Sequence, residues 1–510
     1  MPDTSHPGPA VRRVVIAGGG TAGWMVAAGL SRALGKLLDI VLVESDEIPT
    51  VGVGEATIPT LVTFHRALGL DEREFMAATQ ATFKLGIRFA DWKTRGEEYV
   101  HSFGTTGKDH WSAGFQHFWH RGRARGIAGD YGDYCLELRA ALEDRFAHLP
   151  DNGLNYAFHM DAGLYARYLR RFSEAHGVRR IEGRIAEVQA DRASAHIKAL
   201  MLASGERIDG DLFIDCTGFR GLLIEQALGV GYEDWSHWLL CDSAIAVQTT
   251  PVGPAVPYTR STAREAGWQW RIPLQHRVGN GIVYSSRYVD DAQARDTLLE
   301  HLEGERLTEP RTIRFRPGQR LRTWHGNCVA IGLASGFLEP LESTSIHLIQ
   351  RGIVRLLQMF PAGGIAQTDV DEYNRQSREE IESIRDFVIL HYKVTDRDDT
   401  PFWRACREMD VPASLAHRIA LFADSGRVFR EGFELFAENS WVQVMLGQGL
   451  VPRSHHPTAD LMDDAELSRF LGQIRDRVSH TLAQLPAHET YVRGYCPAAT
   501  PRGPAAAADR

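Results

Sequence analysis

Apolar positions in this chain follow two periods, and the switches between them lay out its elements. Val14-Val15-Ile16-Ala17 is a short continuous apolar run of the kind a buried strand carries, and an Ala-rich helix follows it through Leu34. Ile40 to Val43 predicts the next strand. Phe83, Leu85, Ile87 and Phe89 alternate strictly with polar positions, which predicts one strand with Lys84 and Arg88 sharing its polar face. Tyr156 through His176 reads as a helix, and a strand follows near Ile185 to Val188. A hairpin over about 196–214 turns at Ser204-Gly205. Cys328 to Leu333 is a further apolar strand. Behind it Ile346, Ile349, Ile353, Leu356, Leu357 and Phe360 recur at helical spacing until Pro361. From about residue 362 to 495 the period is helical, as in the stripe Leu467, Phe470, Leu471, Ile474, Val478, Leu482. The pattern predicts an α/β protein: a body over 11–361 with a mixed sheet, a helical subdomain over 362–496, and flexible tails at 1–10 and 497–510.

Composition narrows the class. A chain of 510 residues is long enough for an enzyme-sized body of packed parts. A net charge of −8 leaves no basic footprint, so nucleic acid is not expected as the main partner. The six cysteines (135, 216, 241, 328, 406 and 496) are widely spaced with no C-x-x-C pair, which argues against a disulfide framework or a zinc site and for a reducing cytoplasm. Met1 to Ala10 has no signal-peptide core, and no apolar run of about 18 residues suits a membrane span.

The first strand ends in Gly18-Gly19-Gly20-Thr21-Ala22-Gly23, a G-x-G-x-x-G with the strand before it and the helix after it that nucleotide binding requires. Gly18 permits the tight turn, Gly20 lets backbone approach a pyrophosphate, and Gly23 lets the helix pack closely. Glu44 ends the second strand, placed to accept from a ribose hydroxyl. A second glycine-rich loop, Gly52-Val53-Gly54-Glu55-Ala56-Thr57, suits a cofactor as long as FAD. Leu212 to Asp215 runs into Cys216-Thr217-Gly218, which resembles the second sequence mark of FAD-containing hydroxylases. Gly332 lies where their third mark falls, although the Asp that usually follows is Leu333 here. With one G-x-G-x-x-G, there is no second loop for NAD(P)H, and reduced flavin is expected to come from elsewhere.

Three stretches carry candidate chemistry. Ser343 and Thr344 are good N-caps for the helix behind them, and its start is a ready anion site beside the carboxylate of Glu342. Alone, that is an ordinary capped helix with an exposed acid. Lys84 alone is an ordinary solvated strand residue; on a cavity wall it becomes a reactive amine or a strong donor. Residues 101–120 carry His101, Phe103, Trp111, Phe115, Phe118 and Trp119, an aromatic wall or plain core, with no ligand set for a metal. Trp268 and Trp270 stand at i, i+2 of a strand and face one side, either as core or as a partition.

Taken together, these stretches resemble the flavin-dependent tryptophan halogenase family. The matches are Gly18-Gly19-Gly20-Thr21-Ala22-Gly23-Trp24, Phe83-Lys84, Trp268-x-Trp270-x-Ile272-Pro273 and Glu339-Pro340-Leu341-Glu342-Ser343-Thr344, with Arg385-Asp386-Phe387 and Thr400-Pro401-Phe402-Trp403 in the family's order. The resemblance spans about 12–490 and implies an FAD-binding Rossmann-like body of the hydroxylase and glutathione-reductase type. It implies a two-component enzyme: a separate NAD(P)H-dependent flavin reductase supplies FADH2, which with oxygen turns halide into hypohalous acid. That oxidant passes through a tunnel to Lys84, which holds it by hydrogen bond or as a haloamine. Glu342 stabilises the cationic ring intermediate or takes its proton, and halide rests on the backbone at Thr344 and Ser345. Ala56, Ile185, Leu333 and Ile346 border the flavin, the Trp268/Trp270 wall keeps substrate off it, and His101, Phe103 and Trp441 line the substrate pocket.

Two departures bear on specificity. Ser345 stands where the family usually has Gly, which leaves chloride and bromide both open. Family members acting on free tryptophan grip its amino-acid end with two adjacent tyrosines and a glutamate; the corresponding stretch here is Ser440-Trp441-Val442 with Gln448 beyond. Desolvated ammonium and carboxylate groups need paired partners. Indole or an indole derivative is therefore expected over free tryptophan. A homodimer is the default assembly. The rival readings are an FAD-dependent aromatic hydroxylase and a flavin-binding protein without catalysis.

Overall fold

The computed structural model describes residues 10–47, 54–110, 112–150 and 153–497. Gly52 and Val53 of the second glycine-rich loop, Trp111, and the tails but for Ala10 and Pro497 lie outside the described residues. A six-stranded sheet is ordered Trp324–His325, Cys328–Ala330, Leu212–Asp215, Arg13–Ala17, Asp39–Glu44, Arg179–Glu182. Its members are parallel except for the first pair. Both faces are covered, which is why its central strands are apolar without alternation. Val14 and Ile16 face a core formed with the helices Thr21–Leu34, Ala162–Ala175 and Ser345–Gln358; Val15 and Ala17 face the hairpin layer of Ile197, Leu200 and Leu202.

A seven-stranded sheet holds Arg311–Arg314, Ser243–Thr249, Val278–Tyr284, Gly267–Pro273, Tyr258–Arg264, Gly86–Ala90 and Glu98–Ser102, in that order. The helices after residue 362 do not form a core of their own. Ile384, Phe387 and Leu390 of Gln367–Lys393, with Trp403 and Trp441, share one apolar cluster with Phe89, Trp268 and Trp270 of this sheet. Leu482, Leu485 and Val492 join the core of the first sheet.

The structure departs from the periodicity in four places. Residues 156–176 are not one helix: Ala157–Asp161 is a strand between Gly54–Ala56 and Thr82–Lys84, and Asp161 then caps Ala162–Ala175 by accepting from Leu164 N. Two strand partners outweigh a helical pattern there. The run Phe83–Phe89 is two strands, Thr82–Lys84 and Gly86–Ala90, in different sheets. Leu85 makes the crossing, its N–H donating to Pro257 O at 2.7 Å and its carbonyl accepting from Phe103 N at 2.9 Å. Lys84 and Arg88 thus share no face: Lys84 is buried, whereas Arg88 pairs with Glu98 towards solvent. The strand from Cys328 ends at Ala330, before a tight turn over Gly332–Ala334. The helix before Pro361 starts at Ser345 and ends at Gln358, and no side chain caps its start. Thr344 at the cap position has helical backbone angles, and Ser343 is left-handed at φ 60°.

Asp215 pins the turn after its strand. Its buried carboxylate accepts from Thr217 N and Oγ1 at 2.9 and 2.6 Å and from Leu223 N and Ile224 N at 2.9 Å each. Asp215→Leu strands these donors, and urea unfolding should register a loss of about 3 kcal/mol.

Candidate active site

The carboxyl ends of the parallel strands open into a cavity of about 650 Å³. Gly18, Gly20, Thr21, Ala22, Glu44, Ala56, Ile185, Leu333 and Ile346 all line it; Gly23 does not, being turned onto the Gly18 carbonyl in the first helical turn. Gly18 has φ 103°, and a Cβ there would stand 2.4 Å from Cys216 O. The Thr21–Leu34 helix begins at Gly20 without a side-chain cap, so its first N–H groups face the cavity. A Cβ on Gly20 would meet nothing within 4 Å, which leaves room for a group against the backbone. Glu44 is engaged by Arg180 Nε at 2.5 Å.

Trp268, Trp270 and Ile272 form one wall of this cavity, the two indole centroids 6.1 Å apart. Gly281 lies opposite Trp270 in the neighbouring strand, where a Cβ would stand 2.1 Å from the Trp270 ring. On the far side Ser343 and Ser345 reach the cavity, whereas Thr344 is buried off it. The uncapped start of Ser345–Gln358 therefore presents its positive end here.

Ser343 joins this cavity to a closed corner. Lys84 Nζ donates to Ser343 Oγ at 2.8 Å and to Thr57 O at 3.1 Å, and lies 5.3 Å from the Phe103 ring. Lys84 is wholly buried, and loss of solvent drives its ammonium down to about 7 against the pull of Glu342. His101 Nδ1 contacts Glu342 Oε2 at 2.8 Å. His391 Nε2 stands 2.8 Å from Oε1, off the axis of a well-aligned hydrogen bond. Burial alone would raise the Glu342 carboxyl; the two histidines outweigh it and hold it at about 2. A carboxylate only accepts, so His391 carries its proton on Nε2 and leaves Nδ1 to accept from Tyr99 OH at 2.7 Å.

Aromatic rings close the rest. Phe387 and Phe436 stack at 3.8 Å, with His101 5.3 Å from the former and 5.9 Å from the latter. Trp441 meets Phe387 edge-on at 4.8 Å and carries the Arg418 guanidinium on its face at 4.1 Å. Among the described residues of the run 101–120, His101 and Phe103 reach this corner, whereas Phe115, Phe118 and Trp119 pack in a separate cluster with Leu467 and Leu471.

Residues 13–464 match the profile described as tryptophan halogenase. The chain belongs to the tryptophan halogenase family. Tryptophan 7-halogenase RebH of Lentzea aerocolonigenes is 37% identical over 525 residues, covering 95% of this chain and 98% of RebH. Among solved structures, the flavin-dependent halogenase Xcc4156 from Xanthomonas campestris superposes with a TM-score of 0.95 at 68% identity, covering 96% of this chain and all (100%) of that one. BrvH, a flavin-dependent halogenase from Brevundimonas sp. BAL3, gives a TM-score of 0.92 at 48% identity with the same coverage. This halogenase uses FADH2 and halide, acts on an aromatic substrate and works with a flavin reductase. The hydroxylase and non-catalytic readings are not favoured by these matches. The residues present fit FAD: an uncapped helix start for the pyrophosphate, an open backbone at Gly20, and an apolar far end at Ile272, Leu333 and Ile346.

Sequence reasoning missed His391, Tyr99 and Phe436. The i, i+4 spacing of Phe387 and His391 on one helix was a usable signal; nothing pointed to Phe436 or Tyr99.

The low pKa of Lys84 makes a stability prediction. Its folded value lies below its unfolded value, so below about pH 7 the folded state carries the full cost of burying the ammonium, and that cost falls as pH rises from about 7 to the unfolded lysine value. Lys84→Met should raise the thermal midpoint at pH 7 and lose that advantage towards pH 10, read by calorimetry.

Proposed function

We propose that this halogenase uses chloride or bromide to halogenate indole or an indole derivative rather than free tryptophan. The carrying observation is the lining around Glu342. It is aromatic, and the charged groups nearby are already paired: Arg418 with Glu434, Arg385 with Asp386. Gln448 is turned away, donating to His391 O at 2.7 Å. A flat aromatic ring has faces to pack against, whereas an amino-acid carboxylate would have to displace a paired acid from Arg418 or Arg385, and an ammonium would have to compete with the two histidines for Glu342.

FAD, when reduced, supplies the oxidising equivalents from oxygen that convert halide into hypohalous acid. Gly18, Gly20, Thr21, Ala22 and Glu44 hold its nucleotide end, and Ala56, Ile185, Leu333 and Ile346 its ring end. Of the two residues expected to hold the halide, Ser345 at the helix start lines the cavity and offers its backbone to the ion, with the Thr344 backbone behind it. Trp268 and Trp270 separate this compartment from the substrate. Ser343 opens the way to Lys84, whose neutral amine either hydrogen-bonds hypohalous acid or takes its halogen with release of water. Glu342, kept ionised by His101 and His391, faces the ring when it becomes cationic, and its charge is the stabilising term. Six free, buried cysteines support a reducing cytoplasm as the compartment, and no described helix is long and apolar enough to cross a membrane. A homodimer is proposed as the assembly.

Steady-state kinetics with bromide, a flavin reductase and either indole or tryptophan test the substrate reading. We expect kcat/KM for indole to exceed that for tryptophan by about 100-fold, the discrimination that two unpaired charged groups impose; comparable values overturn it. Glu342→Gln keeps the shape and removes the charge, and should lower kcat about 100-fold with little change in KM.

A further inference from the structure

The two indoles of the cavity wall are held differently. Trp270 Nε1 has no partner among the described residues, and its ring is seated on Gly281. Trp268 Nε1 donates to Glu339 Oε2 at 3.2 Å, and Tyr392 OH donates to the same oxygen at 3.0 Å. The other oxygen of Glu339 has no well-formed hydrogen bond among the described residues, although the residue is buried and the Cys241 thiol lies near the carboxyl. A buried carboxylate satisfied on one side costs stability, and a leucine of similar volume would pack there without that cost. Stability therefore does not explain Glu339.

Its neighbours do. Glu339 precedes and Glu342 ends one short turn, Pro340–Glu342, and Tyr392 and His391 are adjacent at the end of one helix. Tyr392 grips Glu339 while His391 faces Glu342. The wall indole and the carboxylate of the closed corner are thus registered against the same helical turn. We infer that Glu339 is a positioning residue that fixes the Trp268 indole as the partition between the flavin cavity and the Lys84–Glu342 corner. This rests on the reading of Trp268 and Trp270 as a partition. Its consequence is directional: with Trp268 fixed, hypohalous acid leaves the cavity by way of Ser343 and Lys84; with Trp268 loose, it escapes elsewhere. Burial lifts the Glu339 carboxyl to about 7, yet the acceptor role of Oε2 survives protonation of the free oxygen.

Two measurements on the full chain test this. In the 15N spectrum of the flavin-free protein, the Trp268 indole resonance is assigned by its loss in W268F. It should be protected from solvent exchange, lose that protection in E339L, and keep it in E339Q, whose amide oxygen still accepts. In turnover with FAD, reductase, bromide and indole, a dimedone-type scavenger reports escaped hypohalous acid. E339L should raise the escaped fraction about fivefold, the ratio a lost hydrogen bond of ordinary strength gives, with FAD affinity unchanged. Y392F, which removes one hydrogen bond and little volume, should move the same way, as should W268F, which also removes the pyrrole ring, and E339L/Y392F should leak no more than E339L. These two keep the test decisive if E339L does not fold. An unchanged escape in E339L and W268F while W268A leaks overturns the role of Glu339; a tight W268A overturns the partition itself.

Discussion

The site depends on one electrostatic constraint: an amine and a carboxylate buried near one another without being paired. Lys84 is bonded to a hydroxyl and a carbonyl, and burial brings it close to neutrality at physiological pH. Glu342 is held ionised by two histidines instead. A direct salt bridge would have kept the amine charged and unreactive. In the proposed function, separating them leaves Lys84 to accept halogen and Glu342 to answer the positive charge that substitution creates on a ring.

The fold supplies that separation. Lys84 ends a short strand of one small sheet, and the next residue, Leu85, carries the chain into another. Glu342 ends a tight turn whose next residue, Ser343, takes a left-handed backbone so that a helix can start at Ser345. His391 reaches the same point from the long Gln367–Lys393 helix, which shares a core with the seven-stranded sheet. The helical region is therefore one wall of the site and not an appendage.

The nucleotide half was readable in the sequence because its signals are local. Strand, glycine turn, helix and acid follow each other within residues 14–44, and each has a backbone reason to be there. The corner was readable only in part. Lys84 and Glu342 were named from their motifs, but the strict alternation around Lys84 suggested a solvated strand face, because nothing local announces a change of sheet at Leu85. The strand Ala157–Asp161 was read as helix for a similar reason, since its pairing partners lie about 75 and 100 residues away. Tyr99, His391 and Phe436 come from three distant segments, and their convergence is a property of packing alone.

The central claim is that oxidant is made in the large cavity and spent at Lys84. The most direct measurement follows both fates in Lys84→Met supplied with FAD, a flavin reductase, NADH, oxygen and bromide, with indole and a dimedone-type scavenger present together. The account predicts that oxidant still forms and brominates the scavenger while bromoindole vanishes. Bromoindole at the unsubstituted enzyme's rate would contradict it.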